Sequence, residues 1–212
     1  MALTFASEAF HVQDIPSAMR IILTPEGGTT EERWRIETPY VTDLIAEALA
    51  ITPQSVILDY GCGIGRLGKS LIEKYKCTVI GVDLSPTMAA LSFLYVQSDR
   101  FVACPNNMLK TMVDRGMRFD GAYSVWVLQH SPQPDWDIAM IKAALRPGAR
   151  CFVLNNKRRA VPIRERGWHD DQLDIKAMLS ASLRLVEEGI LPADVVTPAV
   201  HTKTFWATFR RD

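Results

Sequence analysis

The sequence predicts an α/β chain built on a mostly parallel sheet with helices on both faces. Three observations carry this. Short apolar runs alternate with helical patterns from about residue 29 onward. A glycine-rich turn, within Val56 to Gly68, joins the first of these runs to the helix behind it. Asp59 and Asp83 end the first two runs, where a parallel sheet gathers its functional residues.

Residues 1–28 show little periodicity, yet Phe5, Phe10, Val12, Ile15, Met19 and Ile21 to Leu23 are apolar, so this arm should dock on something. Gly27 and Gly28 provide a hinge. Thr29 followed by Glu32 reads as a capping box, and Thr38–Pro39 as a second helix start, because proline suits a first helical turn. Tyr40, Val41, Leu44, Ile45, Ala48 and Leu49 keep a helical period to about Ala50. Strands are expected at Val56–Leu58, Cys77–Val82, Phe101–Cys104, Phe119–Leu128 and Cys151–Leu154. Between them, helices should run to Tyr75, from Ser85–Pro86 to about Gln97, over Asn107–Val113 and over Asp135–Leu145. The last third offers a loop, a helix over about Asp170–Ala181, and strands at Leu183–Glu187 and Thr204–Phe209. The final strand is rich in aromatics and threonine and could pair antiparallel.

Hydrophobic residues make up 48% of the 212, ample for a core. Twenty-four basic and 24 acidic residues cancel, so no global field favours nucleic acid or a membrane surface. No signal-like start and no membrane-length apolar run is present, which points to a cytoplasmic protein. Cys62, Cys77, Cys104 and Cys151 are widely spaced, which argues against a metal site or a disulfide framework.

The glycine turn is a ligand cradle. Gly63, Gly65 and Gly68 match a dinucleotide spacing, but Asp59 beside the turn would repel a pyrophosphate and suit an ammonium or a sulfonium. Asp59, Gly61, Gly63 and Gly65, with Cys62 between the first two glycines, resemble the first motif of the class I S-adenosylmethionine-dependent methyltransferases, Asp-x-Gly-x-Gly-x-Gly. The resemblance implies a Rossmann-like sheet of seven strands with the last inserted antiparallel, preceded here by an N-terminal helical extension. It divides the chain into the arm, residues 1–28, and a methyltransferase domain, residues 29–212.

A carboxylate at Asp83 can accept hydrogen bonds from both ribose hydroxyls, as the family uses an acidic residue there, and Leu84 would then lie against adenine. Where the family has an aspartate after the third strand, this chain has Asn106 and Asn107, either of which could accept from the adenine amine. Phe119 to His130 resembles the family's fourth motif, which places Val125 and Trp126 by the methionine half of the cofactor. His130 is the candidate general base. Asn155 and Asn156, past the fifth strand, could orient an acceptor. The arm together with Trp34–Tyr40 could cover it, with Trp34 and Tyr40 contacting the acceptor. Lys157, Arg158, Arg159, Arg164 and Arg166 could hold an anion, or be a solvated loop.

The resemblance implies transfer of a methyl group from S-adenosylmethionine to an N, O or C atom of a small molecule, by in-line displacement, with S-adenosylhomocysteine as product and no metal. Two alternatives stand beside it: a nucleic-acid methyltransferase, disfavoured because Gln129-His130-Ser131-Pro132 departs from the amino-methylating DNA pattern, and a non-catalytic cofactor-binding regulator.

Overall fold

The computed structural model describes residues 4–212. After a 3₁₀ turn at Ser7–Phe10, helix α1 covers Ile15–Ile22. Its N-terminus is closed by reciprocal bonds between Asp14 and Ser17. Helix α2 runs unbroken from Thr30 to Leu49, with the expected box between Thr29 and Glu32 at its start. The second helix start expected at Thr38–Pro39 is therefore absent, and Pro39 lies inside the helix. Proline at 39 frees the carbonyl of Arg35, and both residues are exposed, so water can take the orphaned acceptor. On the opposite face Arg33 and Glu37, 6% and 1% exposed, pair across the same turn. Arg33 also donates to the Thr24 carbonyl, and Thr30 Oγ1 donates to the Leu23 carbonyl at 2.8 Å, so α2 holds the end of the arm.

Strand β1 (Val56–Tyr60) leads through the glycine turn into α3 (Arg66–Tyr75). Then follow β2 (Thr78–Val82), α4 (Pro86–Val96), β3 (Phe101–Cys104), α5 (Asn106–Asp114) and β4 (Phe119–Val125). Helix α6 (Pro134–Ala144) precedes β5 (Leu145–Asn156). A hairpin, β6 (Val161–Ile163) and β7 (Gly167–His169), stands where only a loop is legible in the sequence. The chain finishes with α7 (Ile175–Ser182), β8 (Arg184–Gly189), α8 (Pro198–Lys203) and β9 (Thr204–Arg210).

The seven-stranded sheet has the order β3-β2-β1-β4-β5-β9-β8. The first five strands are parallel, and β9 enters antiparallel between β5 and β8. This is the expected Rossmann-like arrangement. Alternation along each strand feeds two core layers. Leu58, Ala122, Cys151 and Val153 face one, with Ile138 and Ile141 of α6 and Leu179 of α7. Ile57, Tyr123, Phe152 and Leu154 face the other, with Ile45 of α2 and Leu71 of α3. Two strand extents differ from expectation. Strand β4 stops at Val125 because Trp126 turns to φ +63°. Strand β5 begins at Leu145, where it pairs with Phe119 of β4, and Gly148 N donates to the Arg211 carbonyl at 2.7 Å ahead of the Arg150 to Asn156 ladder with β9. No helix among the described residues is long and apolar enough to cross a membrane.

Candidate functional site

A cavity of about 720 Å³ opens beyond the carboxyl ends of the parallel strands. That size lies within the ~300–1,000 Å³ typical of small-molecule sites. Its floor is the glycine turn. Gly61 and Cys62 donate their N–H groups to the Val82 carbonyl at 2.7 and 3.0 Å, which folds the turn across the end of β2. Gly61 has φ +87°, and a Cβ there would sit 2.2 Å from Val127, so no other residue fits. Gly63, at φ +54°, donates to Asp83 Oδ2 at 2.8 Å. Asp83 Oδ1 accepts from Ser85 N at 2.8 Å, so one carboxylate locks both the β1 and β2 turns while still lining the cavity.

Asp59 is 4% exposed and lines the same floor. Burial pushes its carboxyl up to about 7, with the Asp83 charge adding to the rise and Tyr123 and Arg66 opposing it. The Tyr123 hydroxyl feels the Asp59 charge, yet it reaches no partner in hydrogen-bonding geometry. Arg66, at the start of α3, is 3% exposed and also lines the cavity. Its Nη1 meets only the Thr38 hydroxyl at 3.2 Å, and its guanidinium lies 5.5 Å over the Trp34 ring. Its Nε has no hydrogen-bond partner among the described residues. The floor therefore presents two carboxylates and one buried guanidinium that no carboxylate bridges.

Of the expected cofactor residues, Asp59, Gly61, Cys62, Gly63, Asp83, Leu84, Asn106, Val125 and Trp126 all line the cavity. Gly65 and Asn107 do not. Gly65 starts α3 against Val96, and Asn107 lies one residue into α5 beyond Asn106. Trp126 is a bulky residue in the left-handed region, a conformation costing about 1–3 kcal/mol that gathers at functional sites. Its indole Nε1 is buried without a partner. Among the expected acceptor residues only Asn156 lines the cavity. Asn155 is fully buried and accepts from Gln129 N at 3.1 Å. Trp34 and Tyr40 are turned elsewhere. Trp34 donates to the Tyr95 hydroxyl at 3.1 Å, and Tyr40 packs on the core layer of α2 and α3.

His130 lines the cavity, but both its ring nitrogens are engaged. Asn156 N donates to Gln129 Oε1 at 2.6 Å, which turns the Gln129 amide nitrogen toward His130 Nε2 at 3.0 Å. Nε2 is thus the acceptor, and Nδ1–H donates to the Ala160 carbonyl at 2.6 Å. Burial, helped by the nearby Arg159 charge, holds the imidazole below its ordinary value and so neutral. This geometry favours a pocket-shaping histidine over a free base.

A second network, which no sequence pattern signals, borders the cavity through Tyr60, Ser131 and Asp137. Tyr60 and Ser131 donate their hydroxyls to opposite oxygens of Asp137, which is nearly buried. Arg159 lies behind, bridging Asp171 at 3.0 Å and donating to the carbonyls of Leu128 and Ser131 at 2.7 and 2.6 Å. The basic stretch at 157–166 is therefore divided. Arg159 is internal, Arg164 pairs with Glu8 at 2.7 Å, and Lys157 Nζ donates to the Thr202 carbonyl. The arm is fastened here as well: Ala6 N donates to the Pro162 carbonyl, Arg164 N to the Thr4 carbonyl, and Phe5 bridges Ile163.

Residues 57–148 match the family model of the methyltransferase domain. A curated relative, the N-demethylindolmycin N-methyltransferase of Streptomyces griseus, is 34% identical over 113 residues, covering 50% of this chain and 46% of that protein. A probable ribosomal RNA small subunit methyltransferase A of Methanosarcina mazei is 36% identical over 81 residues, covering 38% and 27%. The chain thus spans less than half the length of these relatives. Among solved structures, the cyclase SpnF superposes with a TM-score of 0.62 at 19% identity, covering 82% of this chain and 81% of that one. The N-methyltransferase NodS of Bradyrhizobium japonicum WM9, bound to S-adenosylhomocysteine, gives 0.62 at 16% identity, covering 84% and 87%.

The fixed amide orientation makes a spectroscopic prediction. Nitrogen-15 NMR of His130 should show the Nδ1–H tautomer, titrating below the ordinary histidine value of 6.5. Gln129→Ala should release Nε2 and move that titration upward. An Nε2–H tautomer in the unsubstituted protein would refute the arrangement.

Proposed function

We propose that this chain is a class I S-adenosylmethionine-dependent methyltransferase, a reading that the match to the methyltransferase domain model supports, and that it transfers the methyl group of S-adenosylmethionine to a small-molecule acceptor. The observation that carries the reading is the floor of the cavity, where Asp59 and Asp83 flank the glycine turn and Arg66 lines the same cavity without a carboxylate partner among the described residues. A ligand with an amino-acid end fits these groups: its carboxylate suits Arg66 and its ammonium suits Asp59. A pyrophosphate fits poorly, because two carboxylates face it. Asp83, already fixed by two backbone N–H groups, keeps lone pairs for ribose hydroxyls. Leu84, 43% exposed, offers an apolar surface to a base. Asn106 lines the cavity and Asn107 does not, so Asn106 is the better candidate for the adenine amine.

The cofactor supplies an electrophilic methyl group when bound. The protein's own work is placement and exclusion of water, and well-oriented reactants can gain about 7–11 kcal/mol in this way. The turn and Asp83 fix one partner, while Val125, Trp126 and Asn156 border the place for the other. His130 shapes that place as a neutral ring. A small acceptor is favoured over nucleic acid because two of the five basic residues at 157–166, Arg159 and Arg164, already have carboxylate partners. The fold by itself fixes no reaction, so the argument rests on the groups in the cavity.

The arm, residues 1–28, acts in this reading as a cover. Phe5, Ala9, Phe10, Ile21 and Ile22 line the cavity from outside the sheet. The exposed Glu8–Arg164 pair that joins the first residues of the arm to the hairpin is the kind that salt weakens, while α1 is anchored in a buried cluster with Ile64 and Met88, so the residues before α1 can open without unfolding the sheet.

Calorimetry should show binding of S-adenosylmethionine and S-adenosylhomocysteine, and labelled methyl should appear in an acceptor from a metabolite panel. Asp83→Ala should weaken cofactor binding by about 1.5–3 kcal/mol, the cost of losing a charged hydrogen-bond partner, while the chain stays folded. Binding of NAD in place of either nucleoside would sink the reading. The cover makes a separate prediction: peptide bonds in residues 4–14 should be cut rapidly by protease in the free protein and slowly once S-adenosylhomocysteine fills the cavity. Equal rates would leave the arm as a fixed wall.

A further inference from the structure

Beyond the floor, the cavity has a wall of a different chemistry. It is built from three pieces: the arm, the 3₁₀ turn at Leu128–His130, and the hairpin β6–β7. Phe10, His130 and Trp168, one from each piece, form a ring cluster. Centroids lie 5.7 Å apart for Phe10–His130, 5.3 Å for His130–Trp168 and 6.1 Å for Phe10–Trp168, with interplanar angles of 54°, 57° and 70°. Trp136 adds a fourth ring to the lining, and Phe5, Val127, Pro132 and Ala160 fill between them.

The charges around the turn and the hairpin side of this wall are committed. Asp137 has both oxygens occupied by hydroxyls. Arg159 is bound to Asp171 and two carbonyls, and Arg164 to Glu8. His130 is held neutral with both nitrogens bonded. A charged acceptor stacked on these rings would find no free counter-charge among the cavity-lining residues of the turn and the hairpin; Arg20 and Glu26 line the cavity from the later part of the arm. Apolar faces and edges at mutual tilts are what a flat ring stacks against. Trp168 lines the cavity and is 59% exposed, so its ring is accessible to a ligand.

Resting on the reading that the floor takes S-adenosylmethionine, we propose that the Phe10–His130–Trp168 wall is the acceptor subsite, and that it selects an uncharged acceptor carrying an aromatic ring, such as a phenol or an indole. The polar edge of that acceptor would meet Asn156 and the Trp126 N–H, which has no partner among the described residues.

The test uses the full chain saturated with S-adenosylhomocysteine and reads tryptophan fluorescence and calorimetry. The probes are 2-naphthol and indole as neutral rings, choline as a cation and phenyl phosphate as an anion. The neutral rings should bind, and choline and phenyl phosphate should not compete. Trp168→Ala and Phe10→Ala should each weaken the ring probes roughly tenfold, the scale of one lost aromatic contact plus its buried area, and Trp168→Ala should leave S-adenosylhomocysteine affinity unchanged. Preferential binding of choline or phenyl phosphate overturns the inference. So does unchanged ring binding in Trp168→Ala, or no ring binding to a protein that does take S-adenosylhomocysteine. Failure to bind S-adenosylhomocysteine at all would instead overturn the methyltransferase reading, and this inference with it.

Discussion

The site depends on two carboxylates held side by side at the ends of adjacent strands. Parallel pairing of β1 with β2 sets Asp59 opposite Gly81, so Asp59 and Asp83 are brought to one rim. Asp83 uses its oxygens to tie Gly63 and Ser85, which gives the glycine turn its shape. Asp59 has no such ties and is desolvated beside a like charge, so it holds its proton far above the ordinary carboxylate value. One carboxylate is structural and accessible, and the other is buried and poised. A positive ligand seated between them would relieve both the repulsion and the desolvation. The same constraint explains Arg66, which the fold keeps buried near this rim without a carboxylate bridging it.

Around that floor the chain spends its remaining charges internally. The Arg159–Asp171 bridge, the Asp137 hydroxyl pair and the Gln129–His130 network fix the 3₁₀ turn after β4 against the hairpin. Arm and hairpin are then joined mainly through backbone bonds and one exposed ion pair. The consequence is a cavity that is ionic at the bottom and aromatic at the outer wall, bordered by an arm whose helix α1 is anchored in a buried cluster with Ile64 and Met88. Buried networks of this kind hold their shape only while every member is satisfied.

Much of this was legible in the sequence because the determinants are local. Glycine spacing, the aspartates at strand ends and the box at Thr29 and Glu32 act within a few residues, and each appears where the pattern places it. Failures occur where distant contacts decide. Pro39 reads as a helix start until the exposed Arg35 and the buried Arg33–Glu37 pair show why the helix continues. The hairpin at 161–169 lacks a strong alternation and is supported by pairing with the arm. Asn155 and Trp34 carry functional side chains but are consumed by Gln129 and Tyr95. The basic stretch reads as one patch because its partners, Glu8 and Asp171, lie on either side in sequence. Asp137 gave no signal of its own, since Tyr60 is 77 residues away.

The central claim is that Asp59 awaits a cationic ligand, and its proton is the direct reporter. With a native value near 7 against an ordinary 3.8, the folded protein keeps this proton after the unfolded chain has lost it. The contribution of Asp59 to stability is therefore full below the ordinary value and declines as pH rises toward 7. A cation beside Asp59 should pull its value back down. Calorimetry of S-adenosylmethionine binding near pH 6, in buffers of different ionisation enthalpy, should then show proton release that disappears in Asp59→Asn. Binding with no proton release, or with the same release in Asp59→Asn, would contradict the account.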